Sequence, residues 1–245
     1  WSDTALGWRA GRDFREPFTP GPIHKNIFSL THANGYRIGN QFLSVDVLQS
    51  DHRDPARLNR RRGATEIYLL YRYTFDLGKL AGRDLAFGPV RGLGLTLGAD
   101  LNWKRDVAYN SRKRMAVLGP QVMWNVPGRL NTALLLVTES NAPTGPFPPI
   151  SARHGQRYTY DPYPMLAIDW GIPLGERWTF EGFANWIGSK GRNETGAATG
   201  AETNIDARLM FDAGRPLGAR AHAFQLGIEY QYWRNKFGNT RAGTG

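Results

Sequence analysis

Alternation of apolar and polar residues with a period of two runs through this chain, and it is clearest between Gly92 and Trp103. Leu93, Leu95, Leu97, Ala99, Leu101 and Trp103 form one face there, and Gly92, Gly94, Thr96, Gly98, Asp100 and Asn102 form the other. Such a strand presents its two faces to different solvents. Strands of soluble sheets average about five or six residues, whereas a tilted strand crossing a bilayer needs about nine to eleven. This stretch has the longer length. Trp103 ends the apolar face where an aromatic ring suits a membrane boundary, and Asp100 on the other face requires water or a polar lumen.

The same pattern predicts strands over roughly 3–14, 24–33, 38–50, 64–76, 114–126, 130–140, 158–172, 178–189, 203–211 and 224–233, eleven with the stretch above. Asn34-Gly35 is the strongest hairpin signal in the chain. Pro120 predicts a bulge or edge irregularity, and Leu134-Leu135-Leu136-Val137 leaves the facing of its strand ambiguous. Connections alternate in length. Those at Asn34-Gly35, 78–89, Pro127-Gly128, 173–176 and 214–221 are tight or moderate, and those between them are mostly longer. That rhythm, with no apolar run of membrane-helix length, predicts an all-β fold: one transmembrane antiparallel up-and-down β-barrel spanning 1–245, placed in a bacterial outer membrane. Bacterial single-chain barrels have an even number of strands. About twelve are therefore expected, with the closing strand beyond Gly245.

Composition sharpens this picture in three ways. The chain holds 8 Trp, 10 Tyr and 12 Phe, which suits aromatic girdles, and it has no Cys, which removes disulfides and thiolate metal sites. Its opening, WSDTAL, already reads as strand, so the N-terminus is taken as that of a mature chain. Thirty-one Lys and Arg against 21 Asp and Glu give a net charge of +10, and the location of the bases decides its meaning. They concentrate in the longer connections: Arg53, Arg57, Arg60, Arg61 and Arg62; Lys104, Arg105, Arg112 and Lys113; Arg153 and Arg157; Lys190 and Arg192; Arg234, Lys236 and Arg241. An external basic crown facing lipopolysaccharide follows. Bases spread over so many connections do not form a groove for nucleic acid.

Strand parity selects the lumen. Asp46, Glu66, Tyr68, Arg72, Asp100, Asn102, Asp169, Glu181, Phe183, Asn185, Asp206, Arg208, Glu229 and Gln231 point away from lipid, with Arg9 beside them. They read either as a path for a small polar solute or as an internal ion-pair network plugging a narrow barrel, because buried charges must be paired. Catalysis is the weaker reading. Of five histidines all but His32 lie in or beside connections, His32 itself sits close to a turn, and Ser29, three residues away, falls on the opposite face. No metal-ligand spacing, phosphate loop or dinucleotide fingerprint is present, so no cofactor is expected.

Five stretches carry a resemblance: WSDTALGWRAGRDFREPF, FGPVRGLGLTLGADLNWK, GPQVMWNVPG, YDPYPMLAIDWGIPLG and GIEYQYWRNKFGN. Together they resemble the Tsx-like family of nucleoside-specific outer-membrane channels. The resemblance implies a narrow, monomeric, twelve-stranded barrel that passes nucleosides by way of aromatic and ionisable lumen side chains, and the residue reading above expects no enzymatic activity. The alternatives are an outer-membrane barrel enzyme acting on lipid or lipopolysaccharide, and a plugged structural barrel.

Overall fold

Long alternating strands joined by short turns satisfy their backbone groups most simply by pairing with the strand before and the strand after. The computed structural model, which describes residues 1–17, 21–54, 63–146 and 150–240, has this arrangement. Its strands are β1 (Ser2–Phe14), β2 (Ile23–Tyr36), β3 (Gly39–Ser50), β4 (Thr65–Asp76), β5 (Val90–Arg105), β6 (Arg112–Trp124), β7 (Arg129–Asn141), β8 (Tyr158–Thr159), β9 (Tyr163–Leu174), β10 (Trp178–Ile187), β11 (Glu202–Asp212) and β12 (Gln225–Arg234). Eleven are long, as the alternation predicts, and the two-residue β8 pairs only with the end of β7. The long strands form one antiparallel sheet in chain order, and β1 and β12 are its two edges. The sheet curls so far that Arg9 of β1 donates to Glu229 of β12 at 2.7 Å across the gap between those edges.

Three local expectations are corrected. Asn34-Gly35 is not the turn: both residues stay in the ladder, opposite Gln41 and Asn40, and the reversal is made by Arg37-Ile38. Gly35 serves a different purpose, because its amide donates to the Trp1 carbonyl at 2.9 Å and the Trp1 indole fills the space a Cβ would need. Pro120 makes no bulge. The ladder to β7 lapses at Gly119 and Pro120 and resumes in the same register, Leu118 opposite Leu136 and Gln121 opposite Ala133, because proline removes a donor without inserting a residue. The bulges lie instead between Gly11 and Phe14, where Asp13 takes a φ of 68°, and between Val90 and Gly92. Finally, the span 158–172 is broken at 160–162, where Pro162 interrupts it, into β8 and β9.

The two ends of the sheet differ. Short reversals and one capped turn of helix, α1 (Leu77–Ala81), close the turn end; Asp76 accepts the Lys79 amide at the start of α1, and Gly82 ends it in the left-handed region at φ 64°. At that end the fully buried Asp212 accepts the backbone amides of His222 and Arg215, which folds the 213–224 connection back onto the sheet. Longer connections gather at the other, loop end. The convex face is apolar along its length: Leu6 is 85% exposed, Trp8 65%, Leu136 59%, Ile228 74% and Tyr230 66%. No helix among the described residues is long and apolar enough to cross a membrane, which leaves crossing by strands open.

Candidate functional site

Every residue selected by parity lies in a strand of the curled sheet, and most are tied to one another on its concave face. Ser29, Asp46, Tyr68 and Asn102 occupy one register row across β2 to β5. Asp100 accepts the Tyr68 hydroxyl at 2.5 Å and the Arg72 guanidinium, while Asn102 donates to Glu66 and accepts from Ser111. On the far side, Asp169, Phe183, Asp206 and Gln231 form a second row across β9 to β12, and Glu181, Arg208 and Glu229 a third beside it. Gln231 donates to Asp206 at 2.8 Å, and Arg208 lies 3.0 Å from Asp206 and 3.1 Å from Glu229. Asn185, opposite Asn204, stands nearer the loop end.

Arg9 joins the two sides. Its guanidinium donates to Asp46 at 2.8 Å, Ser29 at 3.1 Å and Glu229 at 2.7 Å. The cluster is not saturated: Arg9 Nε and Asp46 Oδ1 are buried without a hydrogen-bond partner among the described residues, whereas Asp206 Oδ1 keeps the Arg208 guanidinium at 3.0 Å. One donor and one acceptor are thus left over, in a place where an unmade bond costs about 1 to 3 kcal/mol. Toward the turn end, Asp169 pairs with Arg129 at 2.9 Å, and both side chains are about half exposed. That mouth is open to solvent.

One wall is of another kind. Met115, Val117, Ala133, Leu135, Val137, Tyr163 and Met165, from β6, β7 and β9, form a buried apolar cluster. The ambiguous facing of Leu134 to Val137 is thereby resolved: Leu134 and Leu136 face outward, and Leu135 and Val137 face inward. A wholly polar lumen is not what the chain builds.

The basic crown divides by residue type and by facing. Lys104, Lys113, Lys190 and Lys236, counted above among the outer bases, turn inward, and Lys25 joins them. Glu16 takes Lys25 at 2.5 Å and Lys236 at 3.1 Å. Asp54 takes Lys104 at 3.0 Å. Glu139 takes Lys113 at 3.5 Å and Lys190 at 3.2 Å, accepts the Tyr163 hydroxyl at 2.5 Å, and shares Lys190 with Glu202. Burial alone would raise the Glu16 pKa, but Lys236, Lys25 and Lys104 reverse that and hold it below the usual carboxylate range. A layer of lysines and acids therefore closes much of the loop end. Glu16, Glu139 and Glu202 were missed in the sequence because they sit at strand ends or in a connection, where alternation is weakest. Of the remaining bases, Arg57, Arg60, Arg61, Arg62 and Arg241 lie outside the described residues.

Above this layer Glu194, in the 188–201 connection, accepts both the Tyr109 and the Tyr160 hydroxyls, and Asn141 donates to Tyr109 at 2.7 Å. Burial, and then the Glu194 charge, push both tyrosines above their ordinary pKa. Above about pH 10 the unfolded connection releases these protons while the folded one retains them, so the unfolded state binds fewer protons and stability falls as pH rises. The protection factors of 188–201 against hydrogen exchange, which are corrected for base catalysis of exchange itself, should therefore fall from about pH 10 upward. Glu194→Gln should lower that protection at neutral pH as well; protection factors unchanged by pH and by this change would show that the tie carries no weight.

His32 and Ser29 lie apart, as parity predicts. His32 Nδ1 is 2.8 Å from Thr4 Oγ1 in an exposed pair, and Ser29 is held inside by Arg9. Set against known proteins, the chain matches no protein-family model and no curated protein.

Proposed function

We propose that the chain is an outer-membrane β-barrel that passes small, polar, uncharged solutes, with nucleosides as the substrate class. The observation that carries this reading is the cluster around Arg9, Asp46 and Asp206, where the spare donor Arg9 Nε and the spare acceptor Asp46 Oδ1 stand among otherwise paired charges. Paired charges impose no demand for net charge on a solute, and the spare groups suit hydroxyls and base edges. Tyr68 and Phe183, both half-buried on the concave face, offer rings for a flat base.

Insertion in a bilayer is supported by the convex face, since exposed apolar side chains on most of the long strands make a surface far larger than a soluble monomer exposes. Closure needs one further strand. With eleven antiparallel long strands β1 and β12 run in the same direction, so a strand antiparallel to both fits between them and makes the number even. Such an insertion holds the edges about 10 Å apart, two strand spacings, a gap an arginine and a glutamate can span as Arg9 and Glu229 do.

The lysine-acid layer favours a second reading, a barrel shut at its loop end. Planar-bilayer recordings separate the two. An ion current reduced by micromolar to millimolar nucleoside, and not by sugars at equal concentration, is expected. Absence of current would favour the shut barrel, and current insensitive to every solute a general pore.

A further inference from the structure

With the crown lysines turned inward, the bases left on the convex face at the loop end are arginines. Arg112 and Arg114 are two residues apart on β6, both exposed, and their register partners are Trp103 and Leu101 on β5. Arg157 reaches the same spot from the connection before β8, donating to the Arg112 carbonyl at 3.1 Å and to Ser140 Oγ at 3.0 Å; Ser140 is itself the register partner of Arg114. Arg105 is exposed two residues beyond Trp103. Among the described residues no carboxylate lies within ion-pair distance of any of these four, although nineteen ion pairs are formed elsewhere. Arg157 feels the crowding, its pKa lowered by burial and then by Arg114 and Arg112. Like charges gathered without a counter-ion repel, and the backbone holds them together here by strand register and by the Arg157 hydrogen bonds.

We infer that Arg112, Arg114 and Arg157 form a binding site for the phosphate groups of an anionic glycolipid in the outer leaflet. This rests on the reading of the chain as an outer-membrane barrel. Two features specify the ligand. The guanidinium fork binds phosphate oxygens bidentately, which a lysine ammonium cannot do, and this site is built from arginine while the lysines of the same end are spent inside. The position specifies a lipid rather than a free anion: Leu101 and Trp103 stand beside the arginines, and Leu97 and Leu118, register partners further along the same two strands, continue the exposed apolar face, so a bound phosphate would have acyl chains lying along β5 and β6.

The test uses the full chain refolded in detergent micelles, with folding verified by heat-modifiable gel migration. Native mass spectrometry is titrated with bisphosphorylated lipid A, with the same lipid stripped of phosphate, and with inorganic phosphate. Lipid A should bind at least tenfold more tightly than its phosphate-free form, and inorganic phosphate should not compete at millimolar concentration. Arg112→Gln, Arg114→Gln, Arg157→Gln together should lose at least tenfold in lipid A affinity while bilayer current and its response to nucleoside stay as in the parent. If the triple variant does not fold, Arg114→Gln alone, which breaks none of the hydrogen bonds described, should lose part of that affinity. Equal binding of phosphate-free lipid, unchanged affinity in the variant, or efficient competition by inorganic phosphate would each overturn the site. Because the current is read separately, loss of the lipid site and loss of the channel reading are distinguishable.

Discussion

Glu139→Ala is expected to lower the unfolding free energy of the folded protein by about 3 to 5 kcal/mol, the range for removing one member of a buried ion pair. Glu139 is only 5% exposed and stands between Lys113 and Lys190, with the Tyr163 hydroxyl as a third donor. Its removal leaves two cations and a phenol with fewer partners. Lys190 keeps Glu202 at 3.3 Å, whereas Lys113 loses the only carboxylate within ion-pair distance of it among the described residues. The cost should therefore fall mainly on Lys113. Glu139→Ala combined with Lys113→Met should recover much of the loss, since a buried pair replaced by apolar groups of similar size is often neutral. The Met115, Val137 and Tyr163 cluster beside it supplies apolar surroundings for that methionine. Urea unfolding in lipid vesicles measures both variants; a single substitution costing less than about 1 kcal/mol, the value of a solvated surface pair, would show that this layer is wet and open.

Much of this fold was legible in the alternation. Period two identifies the long strands and fixes facing for residues such as Asp46, Tyr68, Arg72, Asp206 and Glu229, because a strand slipped by one residue would put all of these on the apolar side. The tilt of that reasoning toward charged residues hid the apolar inner wall. Leu135 and Val137 face inward although their neighbours Leu134 and Leu136 face outward, and four apolar residues in succession carry no parity signal. The turn end misled for a related reason. Asn-Gly is a strong local turn signal, but here Trp1 packs on Gly35 and accepts its amide, which carries the pairing of β1 and β2 up to Gly35, and β2 pairs with β3 as far as Tyr36. Tertiary contact overrode propensity.

The lysines show the limit of sorting residues by loop and strand alone. Lys104 and Lys113 sit at the ends of β5 and β6 and obey the same parity as Asn102 and Met115, so their inward facing was readable from strand period. Lys190 and Lys236 lie in connections, where no period applies, and only the fold brings them to Glu139, Glu202 and Glu16. The pairing of Arg9 with Glu229, separated by 220 residues, likewise depends on how far the sheet curls.

Removal of both lumen rings, Tyr68→Ala with Phe183→Ala, is expected to weaken nucleoside block of ion current by one to two orders of magnitude. Stacking of a base on an aromatic ring is worth about 1 to 3 kcal/mol, and about 1.4 kcal/mol is a factor of ten in affinity. The two rings are set among different groups. Phe183 lies in the register row between Asp169 and Asp206, whose carboxylates can accept from sugar hydroxyls on either side of a stacked base. Tyr68 is anchored, its hydroxyl donating to Asp100 while Arg72 holds the same carboxylate. That anchoring allows ring and hydroxyl to be separated. Tyr68→Phe keeps the ring and leaves Asp100 with Arg72, so block should persist within about threefold, less than the factor of ten that 1.4 kcal/mol represents. Tyr68→Ala removes the ring as well and should weaken it. If Tyr68→Phe is as damaging as Tyr68→Ala, the hydrogen bond to Asp100 and not stacking shapes the path. If the double variant is blocked as well as the parent, the rings only fill space, and the shut barrel or the general pore becomes the better account of a lumen so heavily paired.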